Sequence, residues 1–401
     1  MKEKLKNALV IGGGSAGLSA ALTLARGGVA VDLVEKSGFA GGYGIQYGCK
    51  ASPDCVMCGA CSVEKLLKEA GEEPNIRMRL SSEVAKVEGA GPFSVTVAAR
   101  KARILPEKCN GCGKCYERYG AAGLILRGPS HNNRPFYALA GNGEGVDPAV
   151  CPEAAIAAGA SESIEKIAAD AVVVATGFAP FDAAIKSTYG IGKFRNVTTG
   201  LEVERTRRQK GEVLRPSDGA VPSSIAFIQC VGSRDERLGN PWCSQVCCAY
   251  ALRIGKSLKF RNPDTQVTVF YMDIQSVGKG FSAFYEECRK DFRFIRNIPV
   301  DVFPEENDRV RLMWAGEDGQ RVEEAFDMLV LSVGITPNPG TVELAKITGL
   351  ALNADGFLTA ASERPGLFVA GTAGGPGNIA ASIAEGGRAA LEALKLMKEK
   401  K

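Results

Sequence analysis

The sequence predicts an α/β fold of two βαβ lobes, with a small cysteine-rich α+β segment inserted into the first lobe. Three observations carry this. A strand-like run at Asn7–Ile11 meets a glycine turn and then a helix-like segment. A second strand, turn, helix and strand succession runs over 224–272. The C-terminus repeats the pattern with a strand, a small-residue turn and a last helix. The 401 residues suffice for two or three domains, and 45% apolar content allows a real core.

Composition narrows the function class. With 23% charged residues and a net charge of +4, no large single-sign field is implied, which argues against a nucleic-acid binder. The 48 glycines lie in short motifs, not in a collagen-like period or a flexible tract. Thirteen cysteines stand beside a single histidine, His131. Zinc sites often recruit imidazole, so thiolate-held clusters are the better expectation. Met1–Leu5 is a short charged lead with no signal-peptide core, and no apolar run is long enough for a membrane span. A cytoplasmic protein is expected, at most peripheral to a membrane through partner subunits. There the cysteines serve as metal ligands, redox thiols or small core residues.

The N-terminal motif comes first in the chain. Asn7–Ile11 leads into Gly12-Gly13-Gly14-Ser15-Ala16-Gly17, a helix follows over Ser15–Arg26, and a second strand, Val29–Val34, ends at Glu35 with Lys36 beside it. This is the dinucleotide-binding fingerprint in its required context. Gly12 permits the tight turn, Gly14 lets a pyrophosphate approach, Gly17 lets helix and strand pack, and Glu35 binds ribose hydroxyls. Gly41 and Gly42 follow soon after, and the C-terminal Gly366–Ala373 segment supplies a strand and turn before a helix from Ile379 to Leu394. Both resemble glutathione- and thioredoxin-reductase-like flavoproteins, in which that strand and helix close the FAD site. The resemblance therefore favours FAD over NAD. It extends to the crossings Val172–Gly177 and Leu329–Gly334, and it implies cofactor contacts at Val84, Ala175, Thr176, Gly177, Gly371, Thr372, Ala373 and Ile379. Thr372 stands where those flavoproteins carry an acidic residue.

The cysteines fall into three groups and a remainder. Cys109, Cys112 and Cys115 have C-x2-C-x2-C spacing, and Cys151-Pro152 follows after a long loop. Together they suit one 4Fe-4S cubane, since Tyr119 stands where a second cluster's ligand would be. A zinc site of four thiolates is the alternative, though that spacing crowds a tetrahedral ion. Cys230, Cys243, Cys247 and Cys248 occupy the turn between the strand Ser224–Gln229 and a helix over Cys247–Phe260, with the strand Gln266–Met272 after it. In a pyridine-nucleotide-dependent protein that turn would carry a second glycine motif, and none is present. A helix N-terminus suits an anionic cluster as well as a phosphate. Cys49, Cys55, Cys58 and Cys61 are open to three readings: a third cluster, redox thiols near a flavin, or buried thiols. Cys288, within the helix Phe281–Asp291, reads as a core residue. His131 reads as a solvated loop residue, and the paired carboxylates Glu286-Glu287 and Glu305-Glu306 as solvated faces.

The second cysteine set resembles the unusual cluster motif of the flavin-binding A subunit of heterodisulfide reductases. So do Tyr189–Val197, Met272–Gln275 and the ending Gly371-Thr372-Ala373 with Pro376 and Ile379. The resemblance spans nearly the whole chain. The larger subunits of that family carry an extra N-terminal domain and a C-terminal two-cluster ferredoxin domain, and the expectation from this sequence is a protein with neither. In size it is closer to the short flavin subunits of quinone-interacting and other heterodisulfide-reductase-like complexes.

The resemblance implies FAD, two 4Fe-4S clusters or three, partner subunits that donate and accept electrons, and pairing into a homodimer. In some assemblies of this kind the flavin splits an electron pair between acceptors. The expected division is a FAD-binding domain from 1–100, 169–214 and 335–401, a ferredoxin-like insertion over 101–168, and a second lobe over 215–334 carrying the unusual cysteine set. A stand-alone NAD(P)H oxidoreductase and a flavin-free cluster scaffold are the rivals.

Overall fold

The structure is a computed structural model that describes residues 6–51, 53–100, 103–105, 108–128, 136–140, 143–157, 162–275, 277–359 and 364–399. His131, Lys400 and Lys401 lie outside the described residues. The first part of the chain runs β1 (Asn7–Ile11), α1 (Ser15–Arg26), β2 (Ala30–Val34), α2 (Ala60–Glu72), β3 (Ile76–Arg79), β4 (Ser82–Glu88) and β5 (Phe93–Arg100). After α3 (Lys114–Tyr119) come β6 (Glu162–Ala169), β7 (Ala171–Val174), β8 (Phe178–Pro180), β9 (Val197–Thr199) and α4 (Gly200–Lys210). The rest comprises β10 (Ser224–Val231), α5 (Cys247–Arg261), β11 (Gln266–Phe270), α6 (Phe281–Asp291), β12 (Arg293–Ile295), β13 (Met328–Val333), β14 (Ile335–Pro337), α7 (Thr341–Thr348), β15 (Leu367–Val369) and α8 (Ile379–Glu399).

Two five-stranded parallel sheets organise the molecule. The first has the order β15-β7-β1-β2-β3 and the second β9-β13-β10-β11-β12. Their inner strands are continuous apolar runs, as strands covered on both faces must be: every residue of β7 and β13 is buried. On one face of the first sheet α1 and α8 pack together through small residues, Ala20 and Ala21 sharing a core with Ala389, Ala390 and Ala393. An antiparallel ribbon, Phe178 opposite Pro337, joins the two sheets.

The three-stranded antiparallel sheet β6-β5-β4 covers the other face of the first sheet. Here the expected boundaries need correction. β6, assigned by the sequence to the insertion, pairs with β5 along its full length, Glu162 to Arg100 through Ala169 to Phe93, because Ile167 and Ala169 share its core with Val95 and Val97. β9, assigned to the first lobe, pairs with β13 of the second sheet from Val197 to Thr199, and α4 follows it there. The cysteine-rich segment has its own small core of Ile104, Cys115, Ile125, Tyr137, Leu139, Ala155 and Ile156. Two short ribbons frame it, 103–104 against 156–157 and 125–128 against 136–139.

Candidate active site

A cleft of about 1120 Å³ runs along the C-terminal edge of the first sheet and against the second lobe. Strands end there and helices begin, which is where open α/β sheets bind ligands. Gly12, Gly14, Ser15, Ala16, Glu35, Gly41, Gly42, Ala175, Thr176, Gly177, Thr372 and Ile379 all line it. Gly12 N–H donates to the Val34 carbonyl (2.8 Å) and Gly41 N–H to the Gly13 carbonyl (2.7 Å), which closes the turn. A Cβ on Gly17 would stand 1.8 Å from the Gly12 oxygen, so only glycine lets α1 press onto the turn. Gly14 caps α1 with no side-chain hydrogen bond and no acid in the first turn, leaving its amides for an anion.

The Glu35 carboxylate is held at the mouth of this turn. Its Oε2 accepts from Gly13 N–H (2.7 Å), and its Oε1 from the Ser37 N–H and hydroxyl (2.8 Å each). Two of the expected contacts lie elsewhere. Lys36, in the bend after β2, is exposed and pairs with Glu83 (3.2 Å), and Val84 packs on the apolar core under the sheet, where the alternation of β4 directs it. Gly17 and Ala373 act through packing, Ala373 being buried in that same core. The Gly371 N–H donates to Glu385 Oε2 (2.9 Å), fixing the last turn against α8.

The seam between the two lobes carries side chains that the motifs did not mark. Lys50 Nζ lies 2.7 Å from Glu204 Oε1, with the two side chains only 2% and 4% exposed, and both line the cleft. Such a pair is costly to break from one side, on the order of 3–5 kcal/mol, because a bare buried charge remains. Three arginines tie the 46–58 segment to α4 and α5. Arg205 donates to Gln46 Oε1 (2.6 Å), Arg208 to the Tyr47 carbonyl (2.8 Å), and Arg253 to the Val56 and Met57 carbonyls (2.8 and 3.1 Å). Burial, then the nearby Glu204, drives the Tyr47 phenol far above its ordinary range.

In both cluster-like cysteine sets the thiols lie within electrostatic reach of one another. Cys115, buried at the start of α3, has its thiol raised by burial first and then by Cys109, Cys151 and Cys112. The Ala155 N–H points at Cys151 Sγ (3.4 Å). In the second lobe Cys230, next to last in β10, has φ 58, and burial, then Cys248, pushes its thiol up to about 12. Cys247 is raised well above the ordinary thiol value by burial and by Cys230, Cys248 and Cys243, and burial likewise raises Cys248. The Gln245 N–H points at Cys243 Sγ (3.3 Å). Arg234 (φ 54) and Gln245 (φ 61) share the left-handed backbone of Cys230. Each costs about 1–3 kcal/mol, and strain of this kind gathers where a loop is shaped for a task. Among the described residues, no three His, Cys, Asp or Glu side chains close on a single metal ion. A 4Fe-4S cluster spreads its four thiolates over four irons, so wider convergence suits it.

The turn also approaches the cleft. Tyr250, on the cleft wall, donates to the Val333 carbonyl (3.1 Å), and the Cys247 thiol points at that same oxygen (3.9 Å). The first cysteine group is arranged differently. Cys49, Cys55 and Cys61 are exposed and Cys58 lines the cleft. Arg207 lies within electrostatic reach of Cys49 and Cys58, and Arg253 of Cys58 and Cys55. Cys288 is fully buried in α6.

Residues 6–386 match the pyridine nucleotide-disulphide oxidoreductase family. The chain belongs to that family. As one of these oxidoreductases it is similar to the A subunit of the H(2):CoB-CoM heterodisulfide, ferredoxin reductase of Methanothermobacter marburgensis, with 36% identity over 98% of this chain and 64% of the relative. It is also similar to the A subunit of the ferredoxin/F(420)H(2)-dependent CoB-CoM heterodisulfide reductase of Methanosarcina acetivorans, at 34% over 98% of this chain and 53% of the relative. The chain thus spans between half and two thirds of the length of these relatives, and the expected likeness to the heterodisulfide reductase flavin subunit holds over that span. Among solved structures, T. acidophilum thioredoxin reductase superposes with a TM-score of 0.54 at 14% identity, covering 97% of this chain and 98% of that one. Lactococcus lactis thioredoxin reductase gives 0.55 at 15%, covering 98% and 99%. The expected fold of a flavoprotein with two dinucleotide-binding domains is thereby borne out. Among the described residues no helix is long and apolar enough to cross a membrane.

Proposed function

We propose that this oxidoreductase is a FAD- and iron–sulfur-dependent electron-transfer component of a heterodisulfide-reductase-like complex. The observation that carries the reading is the junction of β10 and α5, where Cys230 on the strand, Cys243 in the turn and Cys247 and Cys248 at the helix start lie within electrostatic reach of one another in place of a second glycine motif. FAD would be held by the Gly12–Gly17 turn, Glu35, the 175–177 segment, Thr372 and Ile379. One 4Fe-4S cluster would be held by Cys109, Cys112, Cys115 and Cys151, and a second by Cys230, Cys243, Cys247 and Cys248. Flavin exchanges one or two electrons and an iron–sulfur cluster one, so together they convert pair transfer into single transfer. The protein's share would be to orient them: the free α1 amides would take the phosphates and Glu35 the ribose hydroxyls, while the Val333 carbonyl links the cleft wall to Cys247.

The name of the Methanothermobacter relative couples a heterodisulfide and ferredoxin as two acceptors, which supports electron bifurcation in a complex containing this chain. The same names call these relatives subunits, which supports partner subunits that deliver and remove electrons, and a cytoplasmic location and a homodimer remain part of the proposal. Cys49, Cys55, Cys58 and Cys61 are a third ligand set or redox thiols.

Anaerobic purification with flavin, iron and sulfide quantified tests this. About eight irons per FAD are expected for two cubanes, and about twelve for three. Zinc, or no iron at all, at the second-lobe set overturns the reading. Bleaching of the bound flavin by NADPH in the isolated chain would support the stand-alone rival instead.

A further inference from the structure

Two buried polar side chains on the second sheet stand out for what they leave unsatisfied. Among the described residues, both amide atoms of Gln229 have no hydrogen-bond partner, and the Ser332 hydroxyl meets only the Tyr250 hydroxyl and makes no other well-formed hydrogen bond; the two residues are 1% and 0% exposed. Buried polar groups are seldom left so, and each such case calls for a partner. Their place in the fold is specific. Along β10, Ile225 and Phe227 face the core that α5 covers, and alternation puts Gln229 on that same face. On the neighbouring β13, Val330 faces that core, so Ser332 does too. Both sit at the C-terminal ends of their strands, one residue before Cys230 and before Val333 respectively. That end of the sheet lies under the first turn of α5, where Cys247 points at the Val333 carbonyl and Cys248 is buried in the same core. The Ser332 hydroxyl faces the Tyr250 oxygen, whose own proton goes to the Val333 carbonyl and whose titratable neighbours include Cys247 and Cys248, so Gln229 carries the larger share of the unmet donors.

We propose that Gln229 and Ser332 form a polar floor beneath Cys247 and Cys248, donating N–H and O–H hydrogen bonds to the sulfur atoms held there and so setting that site's reduction potential. The inference rests on the reading that the second-lobe cysteines hold an iron–sulfur cluster. Hydrogen bonds to cluster sulfurs favour the reduced, more negative state and raise the potential. Both are positioning residues, and neither is needed to ligate iron.

The experiment is a redox titration followed by electron paramagnetic resonance on the anaerobically purified chain, using Gln229→Met, which keeps the volume and removes the donor, and Ser332→Ala. The expected result is a negative shift of one midpoint potential in each variant, larger in the double variant, with iron and flavin content unchanged. The signal that shifts should be the one that Cys247→Ala abolishes. An unmoved midpoint with that signal intact overturns the inference while leaving the cluster reading standing. If Cys247→Ala removes no iron, the cluster reading fails and takes the inference with it. Should Gln229→Met not fold, Ser332→Ala decides by the same criterion.

Discussion

The turn after β1 and the turn after β10 hold matching places in their sheets, each leading from an inner parallel strand into a covering helix, yet they are built in opposite ways. The first takes three residues, Gly12 to Gly14, before α1 begins, and its helix starts without an acid or a capping side chain. The second takes fifteen, Gly232 to Val246, with left-handed Arg234 and Gln245 inside it and left-handed Cys230 before it. A positive helix terminus is indifferent to which anion it faces. What differs is the approach: bare glycine backbone for a phosphate, or a long strained loop that aims thiols inward.

The comparison can be broken most directly at Gly17. Gly17→Val drives a side chain into the Gly12 oxygen, and we expect flavin content to fall to near zero while iron at the second-lobe set persists; equal loss of both would erase the distinction between the two turns. Cys247→Ala is the reciprocal change, expected to remove about four irons per chain with flavin retained. Lys50→Met tests the seam between the lobes. It should lower unfolding free energy by about 3–5 kcal/mol in urea titration, with Lys50→Met/Glu204→Leu recovering much of it, since the second change removes the orphaned charge.

The smallest effect is a pH dependence of the metal-free protein. The Cys230 thiol loses its proton near 9.0 when unfolded and near about 12 when folded. Between those values the native state holds the extra proton, so stability is fully present below pH 9 and declines as pH rises through that window. Thermal melting of the apo-protein in alkaline buffers checks it. A flat profile would mean that burial does not restrain this thiol.

Local grammar is the readable part. The glycine turn, α1, α6 and both cysteine spacings are short-range patterns, and periodicity places α1 and α6 at their observed ends. Val84 misleads because an alternating apolar strand residue looks alike whether it faces a ligand or a core. Lys50 with Glu204 escapes notice for a different reason: the partners are far apart in sequence, and neither sits in a motif. The domain limits shift because β6 and β9 are defined by the strands they pair with, and pairing across long insertions leaves no local trace. Gln229 reads in sequence as one polar residue closing an apolar strand, and only its burial shows that it wants a partner.

The seam between the lobes has one further consequence. Prising them apart would expose the Lys50–Glu204 pair and sever the arginine ties from α4 and α5 in the same motion. The step from the cleft wall to Cys247 lies wholly within the second lobe, spanned by one backbone carbonyl, so such a motion would not lengthen it. If the proposed flavin and cluster occupy these sites, transfer between them should be indifferent to solvent viscosity, and glycerol should slow only exchange that depends on diffusion.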